Sequence, residues 1–243
     1  MRGIKKIHKT IISLIAVLVV VSCTKYDNPA PFFEELIKEK KKQRKVLLIS
    51  IDGLSGEMLK NAELPNINSL KSNSKYTYEL TGNGTLNIDK TGVSGWVNMV
   101  SGQTFFTHKI KDNSFTFEPG SDNDPHAEVN DVRNVLEYIA DNRTFTTAVV
   151  TPWTELRDFL RASELSPKVS SDLAGKDSTL SMLKIFDLGT LIVNFKGLED
   201  AFEANADPSS PAVVEVLSQT DKYIAEIITA LEARNTFEFE DWL

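Results

Sequence analysis

The most chemically expressive residues of this sequence are carboxylates placed where apolar runs end. Asp52 closes the run "KVLLISI" and is followed at once by Gly53. An aspartate in that position does one of two things. It accepts backbone N–H bonds as the N-cap of a helix begun by "GLSGEMLKN", or it is a metal ligand or catalytic carboxylate at the C-terminal edge of a parallel sheet. A second acidic pair, Glu199 and Glu203, is spaced four residues apart, so on a helix both side chains share a face and can reach one ion. Such a pair suits the hard cations Mg²⁺, Ca²⁺ or Mn²⁺ better than Zn²⁺, or it forms a solvated acidic face. Other catalytic signatures are missing. No Gly-x-Ser-x-Gly elbow occurs, and "GNGTLN" at 82–87 is not a dinucleotide-binding fingerprint.

The elements that would position these groups follow from apolar patterning. Val46–Ile51, Phe145–Val150 and Leu188–Phe195 are short runs apolar enough to be buried strands, and Tyr76–Leu80 suggests another. "LPNINSLKSNS" places Pro65 at a helix start. "SGWVNMVSG" reads as a short helix stopped by Gly102. Glu128–Asn142 predicts an amphipathic helix with Val132, Val135, Leu136 and Ile139 on one face. Pro211–Arg234 predicts a long one, with Val213, Val216, Leu217, Ile224, Ile227, Ile228 and Leu231 inward. Ser163–Lys184 carries no clear pattern and reads as an inserted surface segment. Buried strands alternating with amphipathic helices indicate an α/β fold, a mainly parallel sheet sandwiched by helices.

Residues 1–22 lie outside that fold. "MRGIKKIHKT" is a basic leader and "IISLIAVLVVV" an apolar stretch too short for a comfortable membrane span. "VVSC" then matches a bacterial lipoprotein processing box, which makes Cys23, the only cysteine, the lipidated N-terminus of the mature chain. The expected localisation is the cell envelope. Residues 23–44 read as a lipid-anchored tether with a basic run from Lys38 to Lys45, and 45–243 as the domain. Arg2, Lys5, Lys6 and Lys9 leave with the leader and no acidic residue does, so the net charge of −7 becomes −11. An acidic domain is a poor match for nucleic acid.

Taken together, "IDG", "LPNINSL", the helix ending "VSG", "THKIKDNSF" and "DKYIAEIITALEARNTFEFEDWL" resemble the alkaline phosphatase superfamily, in its nucleotide pyrophosphatase and type I phosphodiesterase branch. The resemblance covers Lys45 to Leu243. It implies a hydrolase of phosphate or sulfate esters with two zinc ions, in which a metal-activated Thr or Ser attacks phosphorus. It assigns Asp52 as a metal ligand, in favour of the second reading above. It also assigns Asn113 as a donor to the phosphoryl oxygen, while His108 matches a family histidine. Counting back from Gly102 puts Gly92 at the nucleophile position. The hydroxyls beside it are Thr91, the expected nucleophile, and Ser94. Aligning on the strand "LIVNF" puts Glu199 and Glu203 where the family has Asp and His, and makes them the other expected metal ligands.

The family continues past a stretch like "FEFEDWL" into a strand ending in Asp-His-Gly, and its later histidine has no counterpart here; His108 and His126 are the only histidines after the leader. The expectation is therefore an incomplete domain, its sheet left with an open edge and its two-zinc set unfilled, so that the cofactor is a hard divalent cation or none. The alternative to a hydrolase is an inactive, truncated relative that binds a ligand at the envelope surface. Trp96 and Trp153 are either core residues or an aromatic wall for a base or sugar.

Overall fold

The run "LGTLIVNF" has almost no polar face, and it becomes a strand buried along its whole length. It lies inside a parallel sheet, where helices cover both faces and strands are correspondingly apolar. A computed structural model describes residues 42–79, 92–116, 132–142, 144–160, 165–205 and 207–243. Its strands are β1 (Gln43–Ile51), β2 (Thr146–Val150), β3 (Leu188–Phe195) and β4 (Glu240–Trp242), ordered β2-β3-β1-β4 with every neighbouring pair parallel. The described helices are α1 (Gly56–Asn61), α2 (Pro65–Leu70), α3 (Gly92–Ser101), α4 (Phe105–His108), α5 (Val135–Asn142), α6 (Thr154–Phe159), α7 (Asp172–Met182), α8 (Gly197–Asn205) and α9 (Pro211–Glu232). None is long and apolar enough to cross a membrane.

Alternation along the strands divides the core in two. Leu48, Val149 and Ile192 point to one face and pack with Trp96, Val97 and Val100 of α3, Leu136 of α5 and Leu156 of α6. Leu47, Ile49, Ala148, Val150, Leu191, Val193 and Phe195 point to the other and pack with Ile224, Ile227 and Leu231 of α9. The mainly parallel, helix-sandwiched α/β architecture expected from the sequence is the one observed.

Four local expectations are corrected. Tyr76–Glu79 forms no strand; Leu80 lies outside the described residues. Tyr78 lies with its backbone against α1, where a Cβ on Gly56 would sit 1.7 Å from its carbonyl oxygen, and Lys71 reaches over both Tyr76 and Tyr78. The helix expected from Glu128 begins, in its described part, only at Val135, because Asn134 caps it: its Oδ1 accepts from Leu136 N at 2.9 Å while Glu137 accepts from Asn134 N at 3.0 Å. That is a capping box, and it leaves Val135 exposed. Ser163–Lys184 is no surface insertion in its described part, since α7 runs there with Leu180 and Met182 packed on the sheet core. Finally, "FEFEDWL" does not stop short of the sheet. It contains β4, which pairs with Gln43–Lys45, and Leu243 N donates to Lys45 O at 3.0 Å.

α2 begins with Pro65 but has no cap of its own. Asp221 of α9, 2% exposed, supplies one by accepting from Asn66 N and Ile67 N at 3.2 and 2.8 Å. At the other end of the sheet, Glu240 is buried among donors: Lys45 Nζ at 2.6 Å, Arg234 Nε at 2.9 Å, Thr236 Oγ1 at 2.7 Å and Trp242 Nε1 at 2.7 Å. Lys45, expected in a solvated basic run, is thus one of the most buried side chains described. Burial alone would raise the Glu240 pKa. Arg234, Lys45, Thr236 and Trp242 together outweigh it and hold the carboxyl far below the ordinary glutamate value of 4.5.

Because that pKa is lowered in the folded state, the stability Glu240 contributes is complete above about pH 4.5 and is lost as pH falls further. Glu240→Gln strands two buried cations, and equilibrium urea unfolding at pH 7 is expected to show a loss of about 3–5 kcal/mol. The variant should also lose part of the native chain's acid-side decline in stability below pH 4.5. A variant within about 0.5 kcal/mol of the native chain would contradict this account.

Candidate functional site

Parallel sheets collect their loops at the C-terminal strand ends, and the candidate residues meet there. Asp52 follows β1, with its backbone N–H bonded to Phe195 O at 2.9 Å, and so stands beside the start of α8. The glycine after it is required twice over. Gly53 has φ of +82°, and a Cβ there would lie 3.0 Å from the backbone N and Cα of Glu199. That close approach seats Glu199 across from Asp52.

Asp52 is not a helix cap. Ser55 caps α1, its side chain accepting from Met58 N at 3.2 Å. The Asp52 carboxylate instead takes one hydrogen bond, from Ser50 Oγ to Oδ1 at 3.2 Å, and its buried Oδ2 has no partner. Burial pushes its pKa above the ordinary 3.8. The amide of Asn194 opposes the shift, the charge of Glu199 adds to it, and Ser50 and Trp96 oppose it more weakly. Asn194 and Trp96 stand close enough to be felt without closing a hydrogen bond on Oδ2. Asn194 itself is 1% exposed and is held by Thr151, whose hydroxyl donates to its Oδ1 at 2.8 Å, while its Nδ2 is unpartnered. Thr151 Oγ1 also accepts from Trp153 N at 3.0 Å, so one polar chain links the ends of β2 and β3.

Two adjoining cavities open on this edge. The first, about 400 Å³, is lined by Ser50, Asp52, Gly53, Gly92, Trp96 and Glu199. The second, about 440 Å³, is lined by Gly92, Lys111, Asn113, Trp153, Lys196, Glu199 and Glu203, with Asp112. Gly92 and Glu199 belong to both. Asp52, Asn113, Glu199 and Glu203 are therefore brought together, with Asn113 and Glu203 exposed and Glu199 half-buried. Larger hollows of about 650 and 740 Å³ lie between α1 and α9 and beside the end of α9, away from these converging groups.

Thr91, His126 and Cys23 lie outside the described residues. Ser94 is wholly buried on the inner side of α3 and lines neither cavity, so it is no candidate for attack. His108 is equally buried: its Nε2 pairs with Asn98 at 2.6 Å and its Nδ1 accepts from Ile110 N at 2.9 Å. It fastens α3 to the turn that carries Asn113, which Phe115 anchors by packing on Trp153 and Phe159. Trp96 and Trp153 are both core and wall; each is buried, and each lines one cavity.

Sequence reasoning missed two residues of this edge. Lys196 sits where β3 gives way to α8, its Nζ 2.5 Å from Glu199 and 3.1 Å from Asp200. Burial works against its charge, yet the hydrogen bonds to Glu199 and Asp200 raise its pKa to about 12. Asp172, from the segment read as an insertion, accepts from Lys196 N and Gly197 N at 2.9 and 2.8 Å and so caps α8. A Cβ on Gly197 would sit 2.7 Å from that carboxylate. The spacing i, i+3 of Lys196 and Glu199 was visible in the sequence; the pairing of Asp172 with α8 was not.

For a metal, the donors offered are the unpartnered Asp52 Oδ2 and Glu199. No group of three or more His, Cys, Asp or Glu close enough to hold an ion occurs among the described residues, so these residues do not fit a two-zinc centre.

Similarity to solved structures agrees with this architecture. The chain matches murine ectonucleotide pyrophosphatase/phosphodiesterase 5, in an inactive variant in complex with AMP, with a TM-score of 0.59 and 16% identity over 80% of this chain and 54% of that one. A second structure of the murine protein gives 0.59 and 17% over 79% and 54%, and the human protein 0.57 and 18% over 77% and 52%. This chain thus spans about half the length of those proteins. At such identities the likeness shows the fold, which is the one the motifs implied. No protein-family model matches the sequence, and no curated relative does.

The surroundings of the Asp52 carboxylate are unfavourable to its charge: burial, an unfilled acceptor and a like-charged neighbour. Asp52→Asn is expected to raise the thermal midpoint by roughly 2–4 °C, the effect of about 1 kcal/mol in a domain of this length. Calorimetry showing a clearly lowered midpoint would mean instead that the charge serves the fold.

Proposed function

We propose that this chain is a phosphodiesterase-like hydrolase that cleaves phosphate or sulfate esters at the C-terminal edge of its sheet, dependent on one divalent cation and held at the cell envelope by a lipid on Cys23. One observation carries the reading: Asp52, Asn113, Glu199 and Glu203, drawn from separate stretches of sequence, line two cavities joined at Gly92. The AMP held by the murine protein of the same fold supports a nucleotide phosphate as ligand.

The charges around the site support the cation. Asp52, Glu199, Glu203 and Asp112 line it against Lys111 and Lys196, an excess of negative charge that repels an anionic ester. Asp52 and Glu199 would hold the ion, Mg²⁺, Mn²⁺ or Ca²⁺ in preference to Zn²⁺. When bound, it would supply positive charge to the phosphoryl oxygens and lower the pKa of an attacking hydroxyl. Asn113 directs its side-chain amide to a phosphoryl oxygen. Thr91 supplies the hydroxyl, one residue before the glycine that opens the cavities. Trp153 and Trp96 exclude water from the cavity floor.

A second reading, an inactive relative that binds a phosphate ester at the envelope surface, is favoured by Gly92. It stands where the resemblance places the nucleophile, and a Cβ there would meet only ordinary contacts, 3.7 Å from Trp153 and 3.8 Å from Glu199 Oε1. The position has room for a hydroxyl and lacks one.

The test is hydrolysis of bis(4-nitrophenyl) phosphate by the full chain in detergent with Mg²⁺, Mn²⁺ or Zn²⁺, beside metal content after dialysis. The hydrolase reading expects turnover that falls by on the order of 10³-fold or more in Thr91→Ala, and about one ion lost in Asp52→Ala. Binding of AMP without turnover in any metal would decide for the second reading.

A further inference from the structure

The ends of β1, β3 and β2 carry a row of polar side chains on one face of the sheet. We propose that Asn194 is the positioning residue of the Asp52 carboxylate, its amide turned by Thr151 so that Nδ2 donates to Asp52 Oδ2. This rests on the reading that Asp52 is a working group of the site, and names what orients it.

Register puts these residues in line. Ser50 lies opposite Asn194, and Val150 opposite Val193, which brings Thr151 beside Asn194. Alternation places Ser50 and Asn194 on the face of Leu48 and Ile192, the one covered by Trp96 of α3. Asp52, two residues past Ser50, returns to that face, and Ser50 Oγ donates to its Oδ1 at 3.2 Å. The direction of each further bond follows from the one before it. Thr151 Oγ1 accepts from Trp153 N at 3.0 Å and keeps its own proton for Asn194 Oδ1, 2.8 Å away. A flipped Asn194 amide would leave that proton without an acceptor and turn Oδ1 toward a carboxylate, acceptor against acceptor. Nδ2 is therefore the end of the amide that faces Asp52. It has no other partner, Asp52 Oδ2 has none either, and both atoms are shut off from water. Asn194 and Thr151 are each 1% exposed, so the relay sits in a dry region where unpaired polar atoms are costly. A donor and an acceptor left over side by side satisfy each other. Among the groups that oppose the effect of burial on Asp52, the Asn194 amide acts most strongly, ahead of Ser50 and Trp96. With Ser50 on one oxygen and Asn194 on the other, two neutral donors fix the plane of the carboxylate.

Two measurements test this. The first is NMR of the full chain in detergent, grown with isotope-labelled asparagine, and it begins with the native chain so that it does not depend on how a variant folds. One of the two Asn194 side-chain amide protons should lie well downfield of the solvated asparagine amides and exchange slowly with water; ordinary shifts for both overturn the proposal. Asp52→Ala should move that proton upfield. Thr151→Val, which keeps the shape of the side chain without its hydroxyl, should do the same, whereas Thr151→Ser should retain the native shift. A proton indifferent to Asp52→Ala or to Thr151→Val overturns the proposal, because a hydroxyl that only supports the fold would leave it unmoved. The second is turnover of bis(4-nitrophenyl) phosphate, where Asn194→Ala should lower kcat by on the order of 10–100-fold with little change in KM. An unchanged kcat overturns the proposal. The expected amide shifts in a chain that turns over no ester would keep this inference and reject the hydrolase reading; turnover with an Asn194 proton indifferent to Asp52 would do the reverse.

Discussion

The parallel pairing of β1 with β3 is the constraint on which the rest depends. Its register runs from Val46 opposite Thr190 to Ile51 opposite Phe195, and continues one step further through the bond from Asp52 N to Phe195 O. That last bond delivers Asp52 to the first turn of α8. A slip of β1 by one residue would turn Leu48 away from α3 and carry Asp52 off the edge in the same movement. The apolar pattern that fixes the core thus also fixes the site. Gly53 completes the constraint, because only a residue free to take φ of +82° without a side chain lets the chain turn against the Glu199 backbone.

Two shielded carboxylates in this molecule are driven in opposite directions by their surroundings. Glu240 is surrounded by donors from Lys45, Arg234, Thr236 and Trp242, and its pKa is driven down. It fastens β1, β4 and the end of α9 to one another, with Arg234 also bonding the carbonyls of Leu183 and Ile185 beyond α7. Asp52 has a hydroxyl on one oxygen, nothing on the other and a second carboxylate nearby, and its pKa is driven up. Burial acts on both. The difference lies in what the neighbours supply.

Much of this was legible in the sequence, for reasons that are local. β3 and α9 announce themselves because one is apolar throughout and the other is periodic over 22 residues. Asp52 and Glu199 line one cavity and Asn113, Glu199 and Glu203 the adjoining one, because strand ends and a glycine-stopped helix leave few places for them to go; the three carboxylates do not gather into one metal-holding group. What was illegible depends on partners distant in sequence. Asp172 caps a helix 25 residues on, Asp221 one that lies more than 150 residues before it, and Lys45 is buried by Glu240, 195 residues away. A lysine at the end of a basic run looks solvated until the strand that covers it is in place. The start of α5 is a different case. Its Asn-x-x-Glu box was present at Asn134 and Glu137, but the apolar spacing upstream suggested a longer helix.

Fold and chemistry part company at the same edge. A parallel sheet of this kind brings loops together whatever side chains they carry, so likeness in fold shows where those loops meet and not what they bind or convert. The side chains decide that, and here the decisive quantity is the source of positive charge. An ammonium clamped between Glu199 and Asp200 balances charge, but it has no open coordination position and cannot generate an alkoxide at neutral pH. A dication held by the protein would do both.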